Sequence, residues 1–168
     1  PVTLIPFDRF DILTFDCYGT LIDWEAGLLA GLRAILDPRG VEAIYRLKGR
    51  ERGKALPVVA ADIAQLLALG ALPESAALAW ATPRWPAAIT VVLPLSRPLP
   101  ASAGEGTLAA RIPAHEGLRS LLAELGHALT ATSANASGEP PFSDPVAVRT
   151  WLATSGENFL VVDQGETA

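Results

Sequence analysis

The stretch AIYRLKGRERGKAL, from Ala43 to Leu56, joins an amphipathic helix to a loop rich in positive charge. Asp37 and Pro38 are typical of a helix start, and Gly49 is typical of its end. Cations spaced two apart in a loop can converge on one small polyanion. A solvated loop that favours the helix C-terminus is the alternative. The chain has a net charge of −5, yet this cationic loop (residues 48–54) holds four cations: Lys48, Arg50, Arg52 and Lys54.

A second polar segment follows a β-forming run. It reads TATSANASGEPP, from Thr130 to Pro141, and its residues 132–138 are called the hydroxyl–amide loop below. Small hydroxyl and amide side chains at a strand-to-loop turn can hydrogen-bond phosphates or a ribose, although an ordinary polar turn is the alternative. Ligands of α/β folds bind at the carboxyl edge of the sheet. A site built from both segments requires this loop and the cationic loop to lie side by side, so that one triphosphate could touch both.

Apolar runs and helical stripes alternate along the chain, which predicts an α/β fold with a twisted mixed sheet and flanking helices. The predicted strands are Phe10–Asp16, Leu56–Ala60, Ile89–Leu93, Thr107–Ile112, Ala128–Thr132 and Phe159–Asp163. The predicted helices are Asp23–Leu36, Asp37–Lys48, Asp62–Leu69, Glu74–Ala81, Glu116–Leu125 and Asp144–Ala153.

Composition excludes several classes of protein. Half of the residues are apolar and 18% are charged, as in folded soluble domains. The acidic balance argues against gripping long nucleic acid by bulk charge. Cys17 is the single cysteine, which rules out an internal disulfide and a C-x-x-C zinc site. The two histidines, His115 and His127, are too few for a histidine-rich site. We therefore predict no protein-held metal. With no signal-like or membrane-spanning run, we expect a cytoplasmic location and no membrane partner.

Taken in order, four segments and the C-terminal stretch resemble the YrdC family over about residues 37 to 168. The resemblance implies a YrdC-like fold and a reaction in which L-threonine, bicarbonate and ATP give threonylcarbamoyl-AMP and pyrophosphate. The product serves threonylcarbamoyladenosine modification of tRNA, so tRNA is an indirect partner. The matching segments are AIYRLKGRERGKAL, WPAAITVVLP (Trp85 to Pro94), TLAARIPAH (Thr107 to His115), TATSANASGEPP and FLVVDQGETA (Phe159 to Ala168).

Site roles follow from the same resemblance. ATP enters as a substrate with Mg²⁺, and the protein neutralises charge and positions the reactants without a nucleophilic side chain. Arg111 pairs with the threonine carboxylate. For Thr107 and Arg111, plain strand residues chosen for β propensity or exposure are the alternative. The implied ATP-binding residues are Lys48, Arg50, Lys54, Thr107, Ser133 and Asn135.

Family elements are missing at both ends of the chain. A P-T-[ED]-T-x-Y-G-L segment is expected shortly before Asp37, and an S-T-[VI]-x-D segment after the last strand. Ala87 also stands where the family pattern W-P-G-P-x-T has glycine. A sheet without these elements has unpaired edges, which favours a homo-oligomer.

The first residues resemble another family. FDILTFDCYGTLIDWEAGL, from Phe10 to Leu28, is similar to the opening motif of haloacid dehalogenase-like hydrolases, in which Asp16 would be the nucleophile. This predicts two parts: residues 1–36, a hydrolase-like strand and helix, and residues 37–168, a YrdC-like domain packed as one unit. The alternatives to a synthase-type enzyme are a hydrolase that uses Asp16 and a non-catalytic chimeric remnant.

Overall fold

The computed structural model of the chain describes residues 12–16, 27–30, 38–142, 144–156 and 159–163; 12–16, 27–30 and 159–163 are described by their backbone. Within these ranges the strands are β1 (Ile12–Asp16), β2 (Gly27–Ala30), β3 (Val58–Val59), β4 (Val91–Pro94), β5 (Thr107–Arg111), β6 (Leu129–Ser133) and β7 (Phe159–Asp163). The helices are α1 (Pro38–Lys48), α2 (Ile63–Ala68), α3 (Ala76–Ala81), α4 (Glu116–Leu125) and α5 (Pro145–Ala153).

The seven strands form one sheet in the order β4-β5-β3-β6-β2-β1-β7. β3 runs parallel to β5, and β1 runs parallel to β7. The remaining neighbours are antiparallel. The predicted α/β class with a mixed sheet is confirmed.

The strand predicted from Leu56 to Ala60 is regular only over Val58 and Val59. Pro57 has no N–H to give to a ladder, but its carbonyl accepts from the Ala131 N–H at 2.8 Å. On the other side, the Ala60 N–H donates to the Arg111 carbonyl at 3.0 Å. Residues 57–60 therefore lie between β5 and β6, whereas the Leu56 N–H donates to the Ala101 carbonyl at 2.8 Å.

The helix predicted over Asp23–Leu36 is wrong at residues 27–30, where the structure has β2. A short apolar run such as GLLA does not distinguish a helix from a buried strand. Here β2 is paired on both sides, with β1 and with β6, so its backbone groups are satisfied by a ladder. The rest of the predicted helix lies outside the described residues.

Side chains cap the N-termini of several helices. The Asp62 side chain accepts from the Gln65 N–H in α2, and the Asp144 side chain accepts from the Val146 N–H in α5. His115, which has no predicted role, caps α4 through Nδ1, 3.0 Å from the Leu118 nitrogen. The predicted cap at Asp37 lies outside the described residues.

The largest core cluster packs α1 and α3 against one face of the sheet. Ile44 of α1 is 1% exposed and Leu93 of β4 is 1% exposed. Leu108 and Ala110 of β5 point into this cluster. Because side chains alternate along a strand, Arg111 points to the other face of the sheet. The core thereby determines which face is left for a ligand.

Across the ranges that the structure describes, no helix is long and apolar enough to cross a membrane.

Candidate functional site

A cleft of about 290 Å³ opens where β3, β5 and β6 meet the cationic loop. Its described lining holds two guanidinium groups, three hydroxyls and no carboxylate, in a protein that is acidic as a whole. A cleft with one sign of charge and low-dielectric walls focuses its potential and attracts counter-ions. The cleft is therefore suited to an anionic ligand. It is lined by Arg50, Pro57, Val58, Val59, Thr90, Arg111, Ala131, Thr132 and Ser133.

Arg50 supplies the cation at one side of the cleft. Its Nη2 donates to the Ala55 carbonyl at 3.0 Å, which holds the guanidinium against its own loop. Its Nε is buried and has no hydrogen-bond partner among the described residues. A buried donor without a partner costs about 1–3 kcal/mol, and an anion in the cleft would remove that cost once the side chain turns to expose Nε.

Arg111 supplies the second cation, at the end of β5. Its Nε donates to the Thr90 hydroxyl at 3.0 Å. Thr90 directly precedes β4, so the antiparallel pair β4–β5 brings the two residues together. Thr90 was not predicted as a site residue, and its only signal in the sequence is its place at the end of WPAAIT.

The hydroxyl–amide loop lies beside the end of α1, as the sequence predicts. Lys48 Nζ donates to the Ser133 carbonyl at 2.5 Å, to the Asn135 carbonyl at 2.9 Å and to Asn135 Oδ1 at 2.6 Å. The Lys48 carbonyl accepts from the Ser137 N–H at 2.7 Å. The expected proximity of the two loops is confirmed, although Lys48 turns its ammonium into the loop and does not line the cleft.

Burial and charge both act on the Lys48 ammonium. Its side chain is 3% exposed. Burial, followed by the nearby charge of Arg50, lowers its pKa from 10.5 to about 8. Tyr45 of α1 is also buried, its hydroxyl donates to the Lys54 carbonyl of the cationic loop at 2.9 Å, and burial raises its pKa.

Ser133 and Asn135 form a short relay inside the hydroxyl–amide loop. The Ser133 hydroxyl donates to Asn135 Oδ1 at 2.7 Å, and Asn135 Nδ2 donates to the Glu139 carbonyl at 2.5 Å. An ammonium has only donors, so the atom that faces Lys48 must be the amide oxygen. Ser133 consequently presents acceptor lone pairs to a ligand, and it donates to one only if it releases Asn135.

The other two cations of the loop point elsewhere. Arg52 Nη2 contacts Glu42 Oε1 of α1 at 2.5 Å, and its side chain is 77% exposed. Lys54 Nζ lies 3.2 Å from Glu51 Oε2 on an exposed surface. In the structure the four cations therefore do not converge, and among them Arg50 alone appears in the described cleft lining.

Thr107 and Arg111 share a face of β5 but stand at its two ends. Thr107 pairs with Pro94, whereas Arg111 pairs with Val59 at the cleft. Four residues of strand separate their Cα atoms by roughly 13 Å. Thr107 is exposed and is absent from the described cleft lining. Its predicted contact with ATP stays a prediction.

Asp16 is the last residue of β1 and lies opposite Asp163 of β7 in the register. The rest of the hydrolase-like turn, residues 17–26, lies outside the described residues. The structure therefore describes only the backbone position of this candidate nucleophile.

Comparison with known proteins identifies the family. The Sua5/YciO/YrdC family model, whose description is "Telomere recombination", matches residues 31–168. The chain belongs to the Sua5/YciO/YrdC family. The threonylcarbamoyl-AMP synthase of Idiomarina loihiensis is 37% identical over 142 residues, which cover 79% of this chain and 75% of that protein. The predicted family is thus confirmed, and the match begins six residues before the predicted boundary at residue 37.

Solved structures of the Sua5/YciO/YrdC family share the fold. Pyrococcus abyssi Sua5, solved in complex with L-threonine, has a TM-score of 0.77 at 30% identity, covering 96% of this chain and 45% of the longer protein. Escherichia coli YciO, at 18% identity, has a TM-score of 0.70 and covers 91% of this chain and 71% of that protein. The chain thus spans less than half of the archaeal Sua5. The hydrolase-like interpretation of Asp16 finds no support in these matches.

Proposed function

We propose that this chain is a threonylcarbamoyl-AMP synthase domain, which converts L-threonine, bicarbonate and ATP into threonylcarbamoyl-AMP, pyrophosphate and water. The observation that carries the proposal is the cleft lined by Arg50 and Arg111, with three hydroxyls and no carboxylate in its described lining. The nucleotide phosphates and the threonine carboxylate each need a cation, and the cleft offers one arginine for each of them. The synthases among the family relatives support the same reaction.

We propose that Arg50 binds the phosphates and that Arg111 binds the threonine carboxylate. Arg50 lines the cleft and has an Nε without a described partner, which can form a charge-assisted bond to a phosphate oxygen when the side chain turns to expose it. Arg111 is oriented by Thr90 and lines the same cleft. Ser133 and Thr132 line the same cleft and offer hydroxyls to the nucleotide. Direct contacts of Lys48, Lys54, Asn135 and Thr107 with ATP are not part of this arrangement.

The chemistry needs positioning more than side-chain reactivity. The threonine amine adds to the bicarbonate carbon and water leaves, which gives an N-carboxylate. One oxygen of that carboxylate attacks the α-phosphorus, and the bond to pyrophosphate breaks. Two fixed guanidinium groups hold the reacting ends together and offset the negative charge of the reactants.

Mg²⁺ is proposed to arrive on the phosphate oxygens of ATP, where it shares their charge. Among the described residues no three His, Cys, Asp or Glu side chains come together as a metal-binding group. The cleft hydroxyls fit a metal held mainly by the substrate. We further propose a cytoplasmic location, an indirect connection to tRNA through the product, a boundary near residues 36 and 37, and self-association.

Pyrophosphate release tests the function. The purified chain is incubated with ATP, L-threonine and bicarbonate, and each component is omitted in turn. We expect pyrophosphate only in the complete mixture, and threonylcarbamoyl-AMP in the products by mass spectrometry. Pyrophosphate that appears without threonine would indicate another nucleotide reaction. If the chain binds ATP and threonine but releases no pyrophosphate, it is a non-catalytic member of the family.

A further inference from the structure

Lys48 combines an unusual degree of burial with a full set of acceptors. It is the last residue of α1, and its side chain is 3% exposed. An ammonium carries three N–H donors and no acceptor. All three donors have a partner at 2.5–2.9 Å, and every partner belongs to residues 133–135. No donor is left for a phosphate.

The same residue holds the loop through its backbone. The last carbonyls of a helix have no partner within the helix, and the Lys48 carbonyl accepts from the Ser137 N–H at 2.7 Å. Four hydrogen bonds therefore connect this one position of α1 with Ser133, Asn135 and Ser137. In the described part of the chain, the other cations of the cationic loop have partners elsewhere: Arg50 bonds to the Ala55 carbonyl, Arg52 to Glu42 and Lys54 to Glu51.

Through Asn135, Lys48 also determines how Ser133 faces the cleft. Asn135 Oδ1 accepts hydrogen bonds from Lys48 Nζ at 2.6 Å and from the Ser133 hydroxyl at 2.7 Å. The ammonium fixes the amide oxygen on this side, and the amide oxygen in turn fixes the direction of the Ser133 proton. Ser133 lines the cleft, whereas Lys48 does not appear in its lining.

We propose that Lys48 is a positioning residue, which locks the hydroxyl–amide loop and orients Ser133 toward the ligand without touching the ligand itself. This inference rests on the proposed function only where it names ATP as the ligand. It replaces the predicted phosphate contact of Lys48 with an indirect role. The lowered pKa of Lys48 is consistent with a cation held by neutral acceptors in a dry site.

Amide hydrogen exchange of the ligand-free protein provides the first test. In Lys48→Met, which keeps the length of the side chain but removes its donors, we expect faster exchange across residues 133–142. In Lys54→Met, whose ammonium faces Glu51 on the surface, exchange in this segment should stay as in the wild type. A loop with unchanged exchange in Lys48→Met overturns the proposal, whether or not the protein proves to be a synthase.

A double-mutant cycle on ATP affinity provides the second test. We expect Lys48→Met to weaken ATP binding about tenfold in the wild-type background and to have little further effect in Ser133→Ala, because contacts within one network couple. Equal losses in both backgrounds would mean that Lys48 contacts the nucleotide directly, and this would overturn the proposal. If the wild type does not bind ATP, the proposed function fails while the exchange experiment still decides the role of Lys48.

Asn135→Ala covers the case in which Lys48→Met does not fold, as judged by thermal melting. This variant keeps the ammonium but removes its side-chain acceptor and frees the Ser133 hydroxyl. A positioning role predicts the faster loop exchange and the weaker ATP binding of Lys48→Met again. ATP binding that is unchanged in Asn135→Ala would overturn the proposal, because the ammonium would then act without the relay.

Discussion

Replacing Arg50 with methionine removes the cation on which the anion site depends. Its Nε is buried with no partner in the described structure, and its Nη2 has one bond, to the Ala55 carbonyl at 3.0 Å. A hydrogen bond to a charged group contributes about 1.5–3 kcal/mol. With about 1.4 kcal/mol per factor of ten, ATP should bind roughly 12- to 150-fold more weakly to the variant. The fold should change little, because one bond of about 1 kcal/mol is lost while an unsatisfied donor also disappears.

Isothermal titration with ATP measures this loss, and Arg52→Met is the matched control. Arg52 lies two residues away, carries the same charge and contacts Glu42 on the exposed side of α1. Both variants change the net charge equally, so the contrast between them isolates the position of the guanidinium. Urea denaturation of the three proteins checks that a lost affinity does not reflect a lost fold.

Equal weakening in both variants would refute the reasoning, because bulk charge would then account for the effect. Unchanged ATP affinity in Arg50→Met would refute it more directly. Either outcome would mean that the buried Nε is not part of the anion site.

Three further predictions concern the threonine end of the cleft, the buried lysine and the core. Thr90→Val removes the acceptor of Arg111 Nε. In a pyrophosphate-release assay the KM for L-threonine should rise roughly 2- to 12-fold, which corresponds to the loss of one net hydrogen bond. An unchanged KM would leave Thr90 without a role. The pKa of Lys48 is lowered from 10.5 to about 8 on folding, so between these two pH values the unfolded chain binds more protons than the folded protein. The free energy of unfolding of the wild type should therefore rise relative to that of Lys48→Met as the pH increases from 8 to 10.5. Urea titrations at both ends of this range measure the rise, and parallel curves would contradict it. Leu122→Ala, at a side chain with 0% exposure, should lower the free energy of unfolding by about 2–5 kcal/mol in urea; a loss below 1 kcal/mol would show that the site collapses around the cavity.

The two loops illustrate how far a motif can predict a site. Cations at every second residue of a loop are predicted to converge, but in the structure each cation turns toward its nearest acceptor. Arg52 and Lys54 have glutamates within reach, and Lys48 has the carbonyls at the end of β6. The carbonyls that bind Lys48 are far from it in the sequence and come close only in the fold. Proximity of the loops was predictable from the motifs, whereas the direction of each side chain was not.

The sequence alone determined the α/β class, most helix and strand positions outside residues 17–37, and the two polar loops, because local periodicity and capping residues carry that information. Tertiary structure decided that residues 27–30 pair as a strand, since β1 and β6 satisfy their backbone on both sides. It also decided that Arg50 and Arg111 share one cleft while Lys48 does not, because hydrogen-bond partners and burial are set by contacts between distant segments.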